Sequence, residues 1–426
     1  MALLDYQKDM LRCTRCSCCK FIPISSIAKS WRFAYGCPSI TRYNFHSYSG
    51  GGKLITALSL LEGRIDYSDQ LMDIVYRCTT CGLCNLSCQT GTHMEVLEIL
   101  FELRAKCFED GKAPLPAHKP IMESIKSYDN VWMQPRAKRD AWAKDLDVKD
   151  INKEKADVLY FVGCTYAYNP KLQKVARDTA TILKRAGVDF GILGNKELCC
   201  ASPAFTIGFK KLFKEYAERN IETFNKLGVS KVVTSCAGCY GLFKAKYPRV
   251  GKEMNFEVLH ITELLDQLIK EGKVKPAKEL PMQVTYHDPC HLGRLSEPSV
   301  PSEGKETIVE GTNIQFAKDI PKVLGFNGVF DPPRDVIQSI PGIELVEMER
   351  VKEFGWCCGA GGGVKSGYPD FALWTASERI EEAKSTGAEA LVTACPWCES
   401  NLGDAIEKNQ ERMKLYSITE LILQVI

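Results

Sequence analysis

Two pairs of adjacent cysteines stand far apart in this chain. One is in E-L-C-C-A-S-P (Cys199, Cys200), the other in G-W-C-C-G-A-G-G-G (Cys357, Cys358). Each pair is followed, at nearly the same spacing, by a Cys-x-x-Cys: V-T-S-C-A-G-C (Cys236, Cys239) and V-T-A-C-P-W-C (Cys395, Cys398). Each is preceded by a single cysteine, Cys164 in G-C-T or Cys290 in P-C-H. A five-thiol set that occurs twice demands two copies of one folding unit, each bringing distant loops together. Disulfides do not explain it. Neighbouring Cα atoms lie about 3.8 Å apart, short of the range disulfides prefer. Disulfide frameworks also belong to small secreted domains. This chain has 426 residues and opens M-A-L-L-D-Y-Q-K-D-M-L-R, without the apolar core of a signal peptide. Most of its 20 cysteines are read as metal ligands in a reducing cytoplasm, with any membrane contact made through a partner.

The remaining composition is that of an ordinary soluble protein. Hydrophobic residues make up 45% and charged residues 25%, with a net charge of +2. That balance gives no footprint for nucleic acid. No apolar run reaches the ~18 residues of a membrane span.

Around the five-thiol sets, short strand-like runs alternate with amphipathic helices. V-L-Y-F-V at 158–162, V-D-F-G-I-L at 188–193 and V-S-K-V-V-T at 229–234 read as strands, with helices at 171–186 and 209–227. The pattern restarts with V-T-Y-H at 284–287, a helix at 370–386 and A-L-V-T-A at 390–394. Such alternation predicts parallel sheets, with each Cys-x-x-Cys at a strand's C-terminal end, where open α/β sheets place their sites. The second copy is longer between its first cysteine and its vicinal pair. The excess, about 295–330, reads as an insertion that covers a cleft or grips a neighbour.

The first part of the chain differs. Residues 53–76 carry apolar residues at helical spacing, broken near Gly63, and 92–110 reads as a further helix with Thr92 and Glu95 as a capping box. Gly50–Gly52, before Lys53, reads as a plain loop in preference to the lead into an anion-binding helix N-terminus. Nine cysteines fall in 13–88, and Cys107 stands alone after them. C-T-R-C-S-C-C supplies Cys13, Cys16 and Cys19, and C-T-T-C-G-L-C-N-L-S-C supplies Cys78, Cys81, Cys84 and Cys88. The second is the full bacterial ferredoxin run, whose fourth cysteine serves the other cluster. The first run has Pro23 where its fourth cysteine belongs, and Cys37, in Y-G-C-P, is the substitute. The expected wiring is Cys13, Cys16, Cys19 and Cys88 on one cubane, with Cys37, Cys78, Cys81 and Cys84 on the other. Cys18 is unassigned, and Cys107 reads as a small core hydrophobe. Zinc also takes four cysteines, so a zinc-stabilised scaffold is the competing reading.

The expected architecture is α+β overall. A helical ferredoxin-like domain with two [4Fe-4S] clusters covers 1–112, a proline-bearing linker 113–155, and two repeated α/β units 156–275 and 276–426. Five thiolates exceed the need of a zinc ion or a four-corner cubane. Thiolates can bridge metals, so adjacent cysteines suit neighbouring irons, and Gly359 and Gly361–Gly363 would let main-chain N–H groups approach the sulfurs.

With these residues the chain resembles the heterodisulfide reductase family, in which paired cysteine-rich "CCG" domains follow a ferredoxin-like domain in the fused D subunit. The first set departs from the motif, with Ala201 in the third place. D-P-C-H-L-G-R-L-S-E-P and I-P-G-I-E-L-V-E-M-E-R-V-K-E-F-G-W-C-C-G-A-G-G-G also resemble the related iron–sulfur subunit of class II benzoyl-CoA reductase complexes. The resemblance implies two cubane and two noncubane [4Fe-4S] clusters, the latter on the two five-cysteine sets. It implies an electron-transfer subunit of a multisubunit anaerobic oxidoreductase, or alternatively a catalytic disulfide reductase acting on a small disulfide bound between the sets. No nucleotide or flavin fingerprint stands out, so a two-electron donor belongs to another chain, a flavin-containing heterodisulfide reductase A-like partner. Candidates for proton donation or substrate contact are His287, His291 and Arg294. Trp356 and Trp397 read as packing beside the cysteines.

Overall fold

Two parallel sheets carry the five-cysteine sets. The computed structural model describes residues 2–24, 26–92, 94–297, 306–308, 315–317 and 325–426. The strands in chain order are β1 (Lys149–Asp150), β2 (Val158–Phe161), β3 (Phe190–Ile192), β4 (Lys231–Thr234), β5 (Glu257–His260), β6 (Met282–Tyr286), β7 (Glu306–Ile308), β8 (Gln315–Ala317), β9 (Ile343–Leu345), β10 (Ala390–Thr393) and β11 (Lys414–Ser417). The first sheet has the order β1-β3-β2-β4-β5 and the second β11-β10-β6-β9. All their pairings are parallel, for example Phe161 with Thr234 and Tyr286 with Val392. Without β1 the two sheets share one topology: the second strand of each unit lies outside the first, and the third and fourth lie on the other side. The order therefore reverses between β2 and β4, and between β6 and β10. Clefts at such switch points are where open α/β sheets bind ligands.

Strands β2 and β10 are buried along their whole length, as continuous apolar runs between helix layers should be. The helix Lys210–Leu227 covers one face with Leu212, Phe213, Tyr216, Ala217, Asn220, Ile221 and Phe224 buried. It ends at Gly228, where a φ of +68° favours glycine. The fourth strand of each unit feeds a helix through a matched capping box. His260 N–H donates to Glu263 and Ser417 N–H donates to Glu420, both at 2.8 Å. The two helices carry a matching sequence, H-I-T-E-L-L at 260–265 against S-I-T-E-L-I at 417–422.

Several expectations change. The stretch 113–155 is more than a linker: Lys119–Tyr128 is helical, and β1 adds an edge strand to the first sheet. Gly50–Gly52 is the first turn of the helix Gly50–Leu61, capped by Ser49, whose hydroxyl accepts from Gly52 N–H. That correction has a physical reason. Gly50 is pressed between Cys19, Cys84 and Val96, and a Cβ on Gly52 would stand 2.0 Å from the His46 carbonyl oxygen. The helix expected from Thr92 starts later, with Glu95 at its N-cap position. Thr92 ends the helix Leu83–Thr92, and Glu95 itself precedes the helix Val96–Glu109. The insertion expected at 295–330 lies largely outside the described residues; within it, β7 and β8 pair antiparallel.

The ferredoxin-like part packs on both units through the helix Val96–Glu109. Its Glu102 and Glu98 pair with Lys210 and Lys246 of the first unit. Cys107 on this helix is fully buried, and burial pushes its thiol up to about 12.

Candidate metal centres

All ten cysteines of the two five-thiol sets line a single cavity of about 380 Å³. Cys164 follows β2 and Cys236 follows β4, at the switch point of the first sheet; Cys290 and Cys395 follow β6 and β10 in the second. The vicinal pairs come in after β3 and β9. Within the first set, Cys239 Sγ and Cys200 Sγ are 3.2 Å apart. The matched turns donate main-chain N–H groups to sulfur: Ala201 N to Cys199 Sγ and Gly359 N to Cys357 Sγ, each at 3.3 Å. Gly163, at φ +77°, leaves room beside Cys239 Sγ, which a Cβ would approach to 3.4 Å. Hydrogen bonds from Cys199 and Cys239 bring Cys200 down to about 5. Hydrogen bonding with Cys357, helped by the charge of His291, brings Cys290 well below the thiol range. Thiols so crowded share protons, and deprotonated sulfur is what binds metal. Five converging thiols with N–H donors around them fit an iron–sulfur group and exceed a zinc site.

The two sets also touch. A hydrogen bond from Cys236 helps draw Cys395 below the ordinary thiol range, against its burial. Tyr166, just after Cys164, donates to Glu399, just after Cys398, at 2.7 Å in a buried contact.

The ferredoxin-like part holds two smaller hollows. One, of about 50 Å³, is lined by Cys13, Cys16, Cys19 and Cys88, and by Cys18. Gly51 N, in the first turn of its helix, donates to Cys19 Sγ at 3.3 Å, so a helix N-terminus faces these thiols. The other, of about 20 Å³, is lined by Cys37, Cys78, Cys81 and Cys84. The eight residues therefore gather in the two expected foursomes.

The second foursome lies against the C-terminal set. Cys81 packs with Cys357 in one apolar cluster with Ile22, Leu83, Leu86 and Phe354. A hydrogen bond from Cys357, with Arg294 nearby, brings Cys81 down to about 6. The glycine run after Cys358 also permits this contact. Cβ atoms on Gly361 and Gly362 would stand 2.6 Å from the Thr79 carbonyl oxygen and 2.5 Å from that of Cys78. Gly359 keeps its expected N–H contact with sulfur, and Gly361–Gly363 line the same cavity as the cysteines while also serving domain docking. Arg104, fully buried, binds the carbonyls of Cys78 and Gly362, each at 2.8 Å, and that of Thr206 at 2.7 Å. One guanidinium thus joins all three parts of the chain.

Arg294 is corrected in the same way. Its Nε donates to the Cys81 carbonyl at 2.6 Å, and its Nη1 to those of Glu353 and Gly355 at 2.8 Å. It is committed to docking and is not aimed into the large cavity. His291 does line that cavity, with Nδ1 3.3 Å from Cys290 Sγ. His287 lies behind the cysteines, fully buried. Trp356 is buried, donating to the Thr375 carbonyl at 2.9 Å. Trp397 lines the cavity and stacks on Trp132 at 6.4 Å. Trp132 comes from the presumed linker, and no cysteine spacing could have flagged it. Glu197 was also missed. Paired with Arg139 at 2.7 Å, it accepts from Val162 and Gly163 N–H at 3.0 Å and so holds the turn that presents Cys164.

Fold and site together define an iron–sulfur protein made of a dicluster domain and two copies of a cysteine-rich unit. Residues 9–92 match the 4Fe-4S dicluster domain family, and 158–244 and 323–403 match the Cysteine-rich domain family. The D subunit of dihydromethanophenazine:CoB–CoM heterodisulfide reductase from Methanosarcina acetivorans is 35% identical over 97% of this chain and 93% of its own length. The chain belongs to the heterodisulfide reductase D-subunit family. A probable iron-sulfur-binding oxidoreductase of Bacillus subtilis is 34% identical over 84% of this chain and 48% of its own length. An EtfAB:quinone oxidoreductase of Syntrophomonas wolfei is 29% identical over 82% and 46%. Among the described residues no helix is long and apolar enough to cross a membrane.

Proposed function

We propose that this chain is the electron-carrying subunit of a multisubunit oxidoreductase. Cys13, Cys16, Cys19 and Cys88 would hold one cubane [4Fe-4S] cluster and Cys37, Cys78, Cys81 and Cys84 a second. Cys164, Cys199, Cys200, Cys236 and Cys239 would hold one noncubane cluster. Cys290, Cys357, Cys358, Cys395 and Cys398 would hold another. When bound, such groups supply one-electron chemistry. The observation that carries the reading is the packing of Cys81 against Cys357, which abuts the ferredoxin-like foursome on the C-terminal set. Arg294 and Arg104 hold that contact. The domain limits of the sequence reading, 1–112, 156–275 and 276–426, stand as part of this proposal.

One cavity shared by both sets favours a second role, reduction of a small disulfide within it. Each turnover takes two electrons and two protons and yields two thiols. The electrons come from a flavin-containing partner chain. Trp132 and Trp397 flank the cavity with apolar surface, and His291 is placed to hold a proton beside Cys290. The names of the D-subunit relatives, heterodisulfide reductases, support this substrate class. A host complex of the benzoyl-CoA reductase type belongs to the proposal alone, and copurification tests it.

Anaerobic iron and acid-labile sulfide analysis tests the reading. Roughly sixteen irons per chain support four four-iron clusters, and about eight overturn the assignment of the five-cysteine sets. Turnover of a disulfide by the prereduced, cluster-complete chain supports the second role, and none removes it.

A further inference from the structure

The two halves differ at one buried position behind their cysteines. His287 stands three residues ahead of Cys290, where Phe161 stands ahead of Cys164. Both are fully buried. Phe161 lies edge-on to Phe224 and Phe243, an apolar setting. His287 has a built polar one. Arg379 Nε donates to its Nδ1 at 3.1 Å. Arg379 is itself fully buried and fixed by Glu382 at 2.6 Å and by the Arg350 carbonyl at 3.0 Å.

That contact settles the tautomer. A guanidinium only donates, so Nδ1 accepts, and the proton of a neutral imidazole sits on Nε2. Nε2 is buried and has no hydrogen-bond partner among the described residues. A ring nitrogen of His287 lies with the Sγ atoms of Cys358 and Cys398 inside a span of 4.8 Å. With Nδ1 taken, Nε2–H is the group offered to these sulfurs. The first half has no equivalent. At the matching distance ahead of Cys236, where Arg379 precedes Cys395, stands Asn220, whose amide goes to the Cys199 carbonyl and the Tyr247 hydroxyl, each at 3.0 Å. The main-chain donors do not break the tie, since Ala201 and Gly359 make equal contacts at 3.3 Å.

We infer that His287 is a positioning residue that gives the C-terminal cluster an N–H donor which the first-half cluster lacks, so that the C-terminal cluster is the more easily reduced of the two. The inference rests on the proposal above that each five-cysteine set holds a cluster. Hydrogen bonds to cluster sulfur stabilise the more negative, reduced state and raise the potential. Charge acts in the same direction. Arg294 lies by Cys290 and Cys357, whereas Arg139 by Cys164 is neutralised by Glu197. The set in contact with Cys81 would then take and hold the first electron.

The test is an anaerobic redox titration followed by EPR on the full, reconstituted chain. Wild type, His287→Phe and His287→Gln are compared, with the C-terminal signal assigned by its loss in Cys398→Ser. His287→Phe copies the first half, and its C-terminal midpoint should fall by about tenfold in the reduction equilibrium, about 59 mV for one electron. The other signals and the iron content should hold. His287→Gln keeps an N–H donor and should stay nearer wild type. An unmoved C-terminal midpoint at full iron content overturns the inference alone. So does loss of C-terminal iron in both variants, which would make His287 a ligand or a packing residue. Wild-type protein lacking iron in these sets overturns the inference together with the reading beneath it.

Discussion

The two five-cysteine halves share strand order, switch point and sulfur positions, and differ in what presses on them. The first vicinal pair runs into Ala201, which holds φ +60° without being glycine. The second runs into Gly359 and then three glycines against the ferredoxin-like foursome. A motif that looks like one chemical requirement repeated is therefore two requirements superposed. The N–H contact to sulfur needs only the left-handed turn, which alanine can adopt at modest cost. The bare backbone beyond it is demanded by a neighbour, and only the second half has that neighbour.

This contrast can be broken most sharply at Gly362. Its φ is +63° and a Cβ would meet the Cys78 carbonyl oxygen. Gly362→Val combines backbone strain with overpacking and should cost about 4 kcal/mol, read as a fall in denaturant midpoint with loss of contact between the ferredoxin-like part and the second unit. Ser202 and Pro203, which follow Ala201 in the first half, already carry side chains.

The same interface should be acid-sensitive. His118 is fully buried, with Nε2 2.9 Å from the Gly363 carbonyl oxygen. Burial, with the facing Arg104, brings it down to about 4. Its unfolded counterpart takes a proton near pH 6.5, so the folded state binds fewer protons between those values. Stability should then fall as pH drops from about 6.5 toward 4, by about 3 kcal/mol at the limit. Thermal melts across that window check this, and His118→Phe should flatten the dependence.

Arg294→Lys keeps the charge and loses the fork that spans Cys81, Glu353 and Gly355. It should cost about 2 kcal/mol and slow reduction of the C-terminal set, while leaving the KM for any disulfide substrate unchanged. A raised KM would return Arg294 to the cavity. The smallest effect is expected at Ala201→Gly. Relief of left-handed strain offsets the added freedom of the unfolded chain, leaving a change under about 1 kcal/mol by denaturation.

The cysteine spacings alone determined a great deal: two repeated α/β units, a ferredoxin-like domain before them, and the foursomes that gather in its two hollows. Which cysteines gather is legible because thiols have few competing uses at such density, and because turns and strand ends fix where short motifs can point. Strands β2, β3, β4, β6 and β10 followed from apolar runs that each carries locally, whereas β5, β9 and β11 did not stand out. Other features depended on contacts between segments distant in sequence. Gly361–Gly363 do lie beside the cysteine cavity, but their second contact, with Thr79 and Cys78, was not legible because those residues lie hundreds of positions away. Arg294 looked free for substrate because a guanidinium's acceptors are main-chain carbonyls, which leave no trace in side-chain patterns. Trp132 and β1 emerged from a presumed linker for the same reason. Tertiary packing alone decided that both cysteine sets open into one cavity, that Cys81 meets Cys357, and that one histidine sees sulfur while its counterpart phenylalanine sees only hydrocarbon.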